Sequence, residues 1–109
     1  MKYTIMGFSQ ARLLEYELDL TDALILRWFL DFKATDKMVA ETYEGKTYYW
    51  INYGFLMNDV PIIGVSNKDA LRRRLKKMED KGILIHMALK KDGVYSFYGL
   101  GENLHLLLD

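Results

Sequence analysis

The chain of 109 residues has no cysteine, one proline and only two histidines. Lack of cysteine excludes disulfides, thiol catalysis and cysteine-rich zinc sites, and fits a reducing compartment. His86 and His105 have no zinc-motif spacing around them, and a metal site needs more ligands than they supply. Long apolar runs are missing too. The longest, "ALILRWFLDF", is interrupted by Arg27 and is too short to span a bilayer. The N-terminus, "MKYTIMGFSQ", has one lysine and no extended apolar run, so it lacks the layout of a secretion signal. A cytoplasmic protein with no membrane partner and no cofactor is the expectation.

Net charge is absent as well, with 15 basic residues balancing 15 acidic ones. The balance hides a polarity. Ser66 to Lys91 holds nine basic and three acidic residues, a net +6, which leaves six basic and twelve acidic residues, a net −6, in the remainder. Apolar and aromatic residues make up half the chain, including two Trp, eight Tyr and five Phe. A domain of this size hides roughly two thirds of the surface its unfolded chain exposes, enough for one core. No repeat, linker or low-complexity segment interrupts it, so residues 1–109 are expected to form a single domain.

Ser9 is placed to cap a first helix running to about Glu17. Thr21 is a second start signal, after which Leu24, Ile25, Trp28, Phe29 and Phe32 recur at helical spacing, with Leu26 and Leu30 on another side. Little of that helix is left for water, which makes it the central core helix. "VAETY" and "TYYWIN", separated by Glu44, Gly45 and Lys46, predict a short hairpin. "YGFLMNDV" offers one or two helical turns stopped by Pro61, and "PIIGV" is a connector with two apolar anchors. "SNKDALRRRLKKMEDKG" predicts a helix opened by a Ser66–Asp69 capping box and ended at Gly82. Two strands follow, "ILIHMAL" and "VYSFYGL", with Asp92-Gly93 as a two-residue turn signal. The tail "GENLHLLLD" is expected to begin another helix.

The predicted fold is α+β, mainly helical. The order of elements is that of a winged helix-turn-helix with an extra N-terminal helix and a C-terminal β-hairpin wing. The basic helix carries seven cationic side chains. At about 100° per residue, Leu71, Leu75 and Met78 fall in one arc and face the core. Opposite them lie Asp69, Arg73, Lys76 and Asp80, with Ala70 and Lys77 on one shoulder and Arg72 on the other. Arg74 lies at the core edge, where its stem covers apolar surface. Such a helix, about 22 Å long, matches a DNA major groove and its flanking phosphates. A helix-turn-helix enters that groove with the N-terminus of its second helix. Asn67, Lys68, Ala70, Arg72 and Arg73 are therefore the candidates for base edges, and Arg73 for a fork onto guanine. Lys76, Lys77, Lys90 and Lys91 are the candidates for phosphates. A solvated charged face is the plainer explanation of such a helix, and Asp69 and Asp80 weigh towards it; the lysine pair at the wing weighs against it.

Other patterns carry less. Gly45-Lys46-Thr47 resembles the end of a phosphate-binding loop, but Ala40 stands where the earlier glycine is required and a strand follows instead of a helix. His86 alternates with Ile85 and Met87, which puts it on the opposite strand face in partial solvent. No catalytic triad or carboxylate pair emerges from residue order, so no enzymatic activity is expected. In "TYYWINYGF", Tyr48 and Trp50 share one face and Tyr49 and Ile51 the other; core packing is the default over the base stacking of single-strand binders. The six methionines are scattered and outline no binding groove.

The stretches "LDLTDALILRWF", "GKTYYWINYGFL", "PIIGVSNKDALRRRLKKMEDKGIL" and "KKDGVYSFYGL" cover most of residues 18 to 100. In order and spacing they resemble the N-terminal winged-helix domain of replication initiator and replisome-organiser proteins of phages and plasmids of Gram-positive bacteria. The resemblance implies sequence-selective binding of double-stranded DNA, at an origin, during initiation of replication. Members of that family usually continue into a C-terminal region for oligomerisation or helicase loading, so contacts with replication proteins are expected there and not on these residues. The alternative is a winged-helix module for protein interaction or homodimerisation, with the acidic N-terminal portion of one chain against the basic helix of another, or a transcriptional regulator.

Overall fold

Two short antiparallel strands, β1 (Thr4–Ile5) and β2 (Phe8–Ser9), open the computed structural model, which describes residues 3–108. Met1, Lys2 and Asp109, at the ends of the two terminal stretches considered above, lie outside the described residues. This hairpin is too short to leave a period-two signal in the sequence. Ser9 caps α1 (Gln10–Glu15) by accepting from the Arg12 amide, and the helix ends before Glu17.

The long apolar helix starts earlier than Thr21 suggests. Asp19 accepts from the Asp22 amide at 2.8 Å while the Asp22 carboxylate accepts from the Asp19 amide at 3.1 Å. This reciprocal capping box opens α2 (Leu20–Lys33) and leaves Thr21 inside its first turn. Ala23, Ile25, Leu26, Trp28 and Phe29 are buried, which makes α2 the core helix.

Strands β3 (Ala40–Tyr43) and β4 (Lys46–Trp50) form the expected hairpin across Glu44 and Gly45. Asn52 then caps α3 (Tyr53–Asp59), which stops ahead of Pro61 as proline geometry demands. Pro61–Ile63 is a single 3-10 turn. Only one of its two expected anchors is inside: Ile63 is buried, whereas Ile62 is 84% exposed. The basic helix α4 (Lys68–Asp80) begins one residue later than predicted, because Asn67 and not Ser66 accepts from the Ala70 amide, at 2.8 Å. Strands β5 (Leu84–Lys90) and β6 (Val94–Leu100) pair in full register from Leu84↔Leu100 to Lys90↔Val94. That register puts Lys91, Asp92 and Gly93 in a three-residue loop in place of a two-residue turn. The tail holds one 3-10 turn, Leu104–Leu107, not a full helix.

The described residues thus form an α+β fold of four α-helices, a two-stranded sheet and a four-stranded antiparallel sheet of order β3-β4-β6-β5. None of these helices is long and apolar enough to cross a membrane. Cross-strand partners share a face, so Tyr49, Tyr98 and His86 lie on one side and Trp50, Phe97 and Met87 on the other. The first side closes the core: Tyr49 meets Phe29 of α2 edge-on at 6.1 Å, and Ile51, Leu84 and Tyr98 pack with Leu71, Leu75 and Met78 of α4. Phe97, buried on the outer side, stands apart from that core cluster.

The end of α4 is a Schellman turn. The Gly82 amide donates to the Glu79 carbonyl and the Ile83 amide to the Met78 carbonyl, with Gly82 at φ +75°. The chain returns over this turn: the Gly101 amide donates to the Ile83 carbonyl and the Asn103 amide to the Gly82 carbonyl, both at 2.9 Å. A Cβ on Gly101 would lie 2.2 Å from the Gly82 carbonyl oxygen. Gly101→Ala is therefore expected to destabilise the protein by about 2–3 kcal/mol through backbone overpacking, measured by urea unfolding; an unchanged midpoint would show that the tail does not seat on the helix end.

Candidate nucleic-acid interface

Helix α4 divides its cations between two directions. Leu71, Leu75 and Met78 are fully buried. Beside this row Arg74 reaches Asp19 at 2.8 Å and Asp22 at 3.0 Å, and Lys77 reaches Asp22 at 2.5 Å. Asp22 is wholly inaccessible to solvent, the one buried charged residue among those described. A buried carboxylate without partners would cost several kcal/mol, so the two cations of α4 are held by what Asp22 requires. Lys81 continues the same flank, 3.2 Å from Glu17.

This corrects two expectations. Lys77 is not a phosphate contact in waiting, since it serves the buried carboxylate and points to the body of the protein. Arg74 does more than cover apolar surface: it bridges both acids of the α2 capping box. The spacing Asp19-x-x-Asp22 before an apolar run was the signal for that box, but nothing in residue order pairs it with a helix some fifty positions later.

Ionisation follows the geometry. Burial on its own would raise the Asp19 pKa, but hydrogen bonds from Arg74 and the Asp22 amide, with the Arg74 charge, bring it down from 3.8 to about 2. The guanidinium of Arg74 is raised in turn, first by its hydrogen bond to Asp19.

The outward face keeps the remaining cations. Lys68, Arg72, Arg73 and Lys76 are exposed, and Ala70 is half-buried between them and the body. Arg72 pairs with Asp69, and Lys76 with Asp80 at 2.9 Å and Glu79 at 3.7 Å. The pairs with Asp69 and Asp80 are exposed and one turn apart, of a kind that contributes little, whereas Glu79 is half-buried. Among the described residues, Arg73 and Lys68 have no carboxylate within salt-bridge distance. Asn67 is exposed but its side-chain oxygen is committed to the helix cap, which leaves only its amide group to donate.

The β5–β6 loop meets this face partly as expected. Lys68 borders a hollow of about 220 Å3 together with Val94, Tyr95 and Ser96, so the start of α4 and the base of the loop share one side. Lys90, paired with Val94, lies on that side. Lys91 does not: it borders a hollow on the outer sheet face with Leu89 and Tyr95. Alternation along the strand separates the two lysines.

His86 was expected in partial solvent, and it is half-buried, but on the core side of the sheet. Its ring stacks on Tyr98 at 4.6 Å and its Nδ1 stands 3.9 Å from Glu79 of α4. Burial lowers its pKa, against the opposing pull of Glu79. Tyr98 is raised by burial and by its 2.8 Å hydrogen bond with Tyr53. Both rings belong to the packing of α3 and α4 on the sheet. Searches against models of known families, characterised proteins and solved structures find no match to this chain.

The depressed Asp19 pKa has a direct consequence. Stability from its pairing is present above the ordinary carboxylate range and is lost as pH falls through about 2. Asp19→Asn keeps a capping side chain and removes the charge. It is expected to cost about 1 kcal/mol at neutral pH, discounted for the exposure of Asp19, and the gap from the parent should close between about pH 4 and pH 2. Chemical unfolding of both proteins across that range checks it; a gap independent of pH would mean the pairing with Arg74 contributes nothing.

Proposed function

We propose that this chain is a winged helix-turn-helix domain that binds double-stranded DNA selectively, with α4 in the major groove and the β5–β6 loop as its wing. The observation that carries the reading is the outward row of Lys68, Arg72, Arg73 and Lys76 on a helix whose other flank is anchored to α2. Anchoring matters because a groove-reading helix has to present its side chains in a fixed rotation.

The topology supports the same reading. Three helices, α2, α3 and α4, and three strands in the hydrogen-bonded order β4, β6, β5, with β3 added at the edge, are the elements a winged helix requires. On this reading Arg73 forks onto a base, Lys68 and Arg72 flank it, and Lys76 and Lys90 meet phosphates. The domain has no catalytic role. Initiation of replication at a phage or plasmid origin is the role implied by the sequence resemblance; transcriptional control would use the same surface.

The alternative, a homodimer in which the acidic portion of one chain meets the basic helix of another, is weakened by where the acids point. Glu17, Asp19 and Asp22 already face α4 of their own chain.

With Lys76 and Lys90 at phosphates and Lys68 and Arg72 close enough to reach them, about four cations in all, log affinity for duplex DNA should fall with log salt at a slope of about −3 to −4. Selection from a random duplex pool should yield a preferred site. At that site Arg73→Ala should cost about 1–3 kcal/mol and relax base preference, while Lys90→Ala weakens all sequences alike. Lys77→Ala should leave binding almost unchanged and lower the unfolding midpoint instead. No salt-dependent retention of any duplex at low ionic strength would overturn the reading.

A further inference from the structure

Trp50 stands where three hollows meet. The first, of about 220 Å3 between the start of α4 and the base of the wing, has Lys68 on its rim. The second, of about 240 Å3 on the outer sheet face, is floored by Tyr95 and Phe97 and bordered by Lys91. The third, of about 180 Å3, is walled by Trp28, Phe32 and Phe55 and bordered by Lys37. Trp50 lines all three. Its ring meets Tyr95 edge-on at 5.6 Å, while Phe32 and Phe55 stack at 5.6 Å on the other side.

Each hollow has one lysine that, among the described residues, is in no ion pair. One acid, Glu41, stands on the wall of the second hollow. The second and third hollows have mostly apolar walls, and the first, though more polar, includes the rings of Trp50, Tyr53 and Tyr95; rings on every wall have a chemical implication. A duplex keeps its base faces stacked inside and cannot use them, whereas an unpaired base offers a flat π-face to any aromatic side chain. One cation per aromatic hollow repeats the proportion of one phosphate per base. A peptide with apolar and acidic residues would satisfy the same charges, but nothing in a peptide requires that repeat.

We infer that this aromatic path around Trp50 binds a single strand of nucleic acid, with bases against the rings and phosphates on Lys68, Lys91 and Lys37. The first hollow adjoins the start of α4, so the path is continuous with the proposed duplex surface. A duplex carrying a single-stranded extension is then the full ligand; that last step rests on the duplex reading, whereas strand binding does not.

The test uses the whole chain and a labelled oligothymidylate of about 12 nucleotides, followed by anisotropy and by quenching of tryptophan fluorescence. Binding is expected with a log–log salt slope of about −2, for three phosphate contacts on a single strand. Lys37→Glu changes an exposed side chain away from α4. It should weaken the oligonucleotide by at least about fivefold, and Phe55→Ser should do likewise, with blunt duplex binding held within about twofold. Duplex binding intact with no oligonucleotide binding, or with binding indifferent to both substitutions, overturns the inference and leaves the duplex reading standing. Oligonucleotide binding sensitive to Lys37→Glu in a protein that ignores duplexes does the reverse. An acidic Glu–Phe peptide that quenches tryptophan and displaces the oligonucleotide at lower concentration than the oligonucleotide itself requires would assign the path to a protein partner.

Discussion

The Asp22 carboxylate is cut off from water, and the orientation of the basic helix follows from how that charge is satisfied. In the interior an ionised carboxylate is tolerated only when paired and hydrogen-bonded. Arg74 and Lys77 supply the cations, and the Asp19 amide supplies a further donor. Residues three apart on a helix share a flank, so meeting one acid with both of them leaves α4 little freedom to roll. Arg73 and Lys76 are turned outward by the same constraint. The ion pairs therefore act less as a reserve of stability than as a register pin between two helices.

That pin also explains what becomes of the chain's charge polarity. The +6 segment and the −6 remainder do not face outward as opposite poles. Part of each is consumed where α1 and α2 meet α4, through Glu17, Asp19 and Asp22. What remains on the surface is a row of cations whose acidic neighbours are exposed and one turn away, in pairs that water and salt already weaken. On the proposed reading, a polyanion takes the place of the exposed acids Asp69 and Asp80 at small cost.

The aromatic residues have a similar division of labour. Tyr49 and Ile51 close the core, and Tyr98 ties the sheet to α3 through Tyr53. Trp50, Tyr95 and Phe97 turn the other way and form a second apolar centre outside that cluster. Strand alternation makes this split compulsory, since neighbouring residues in β4 and β6 emerge on opposite faces.

Periodicity and capping chemistry made most elements legible from residue order: the apolar rows of α2 and α4, the hairpin turns, the stop at Pro61 and the positive-φ residue at Gly82. Where starts were misplaced, at Thr21 for Asp19 and Ser66 for Asn67, two residues within two positions of each other could both cap, and the winner depends on backbone path. The outward set on α4 was legible because a helix of known phase has one solvent side. The sequence by itself determined the elements between α1 and β6, the inward row Leu71, Leu75 and Met78, and the presence of a cationic face, all of which depend on local spacing. Only the tertiary structure decided that Lys77 and Arg74 belong to Asp22 and that Trp50 joins three hollows. Those outcomes are set by which distant segments pack together, and pairing across some fifty residues leaves no trace in the local pattern of either partner.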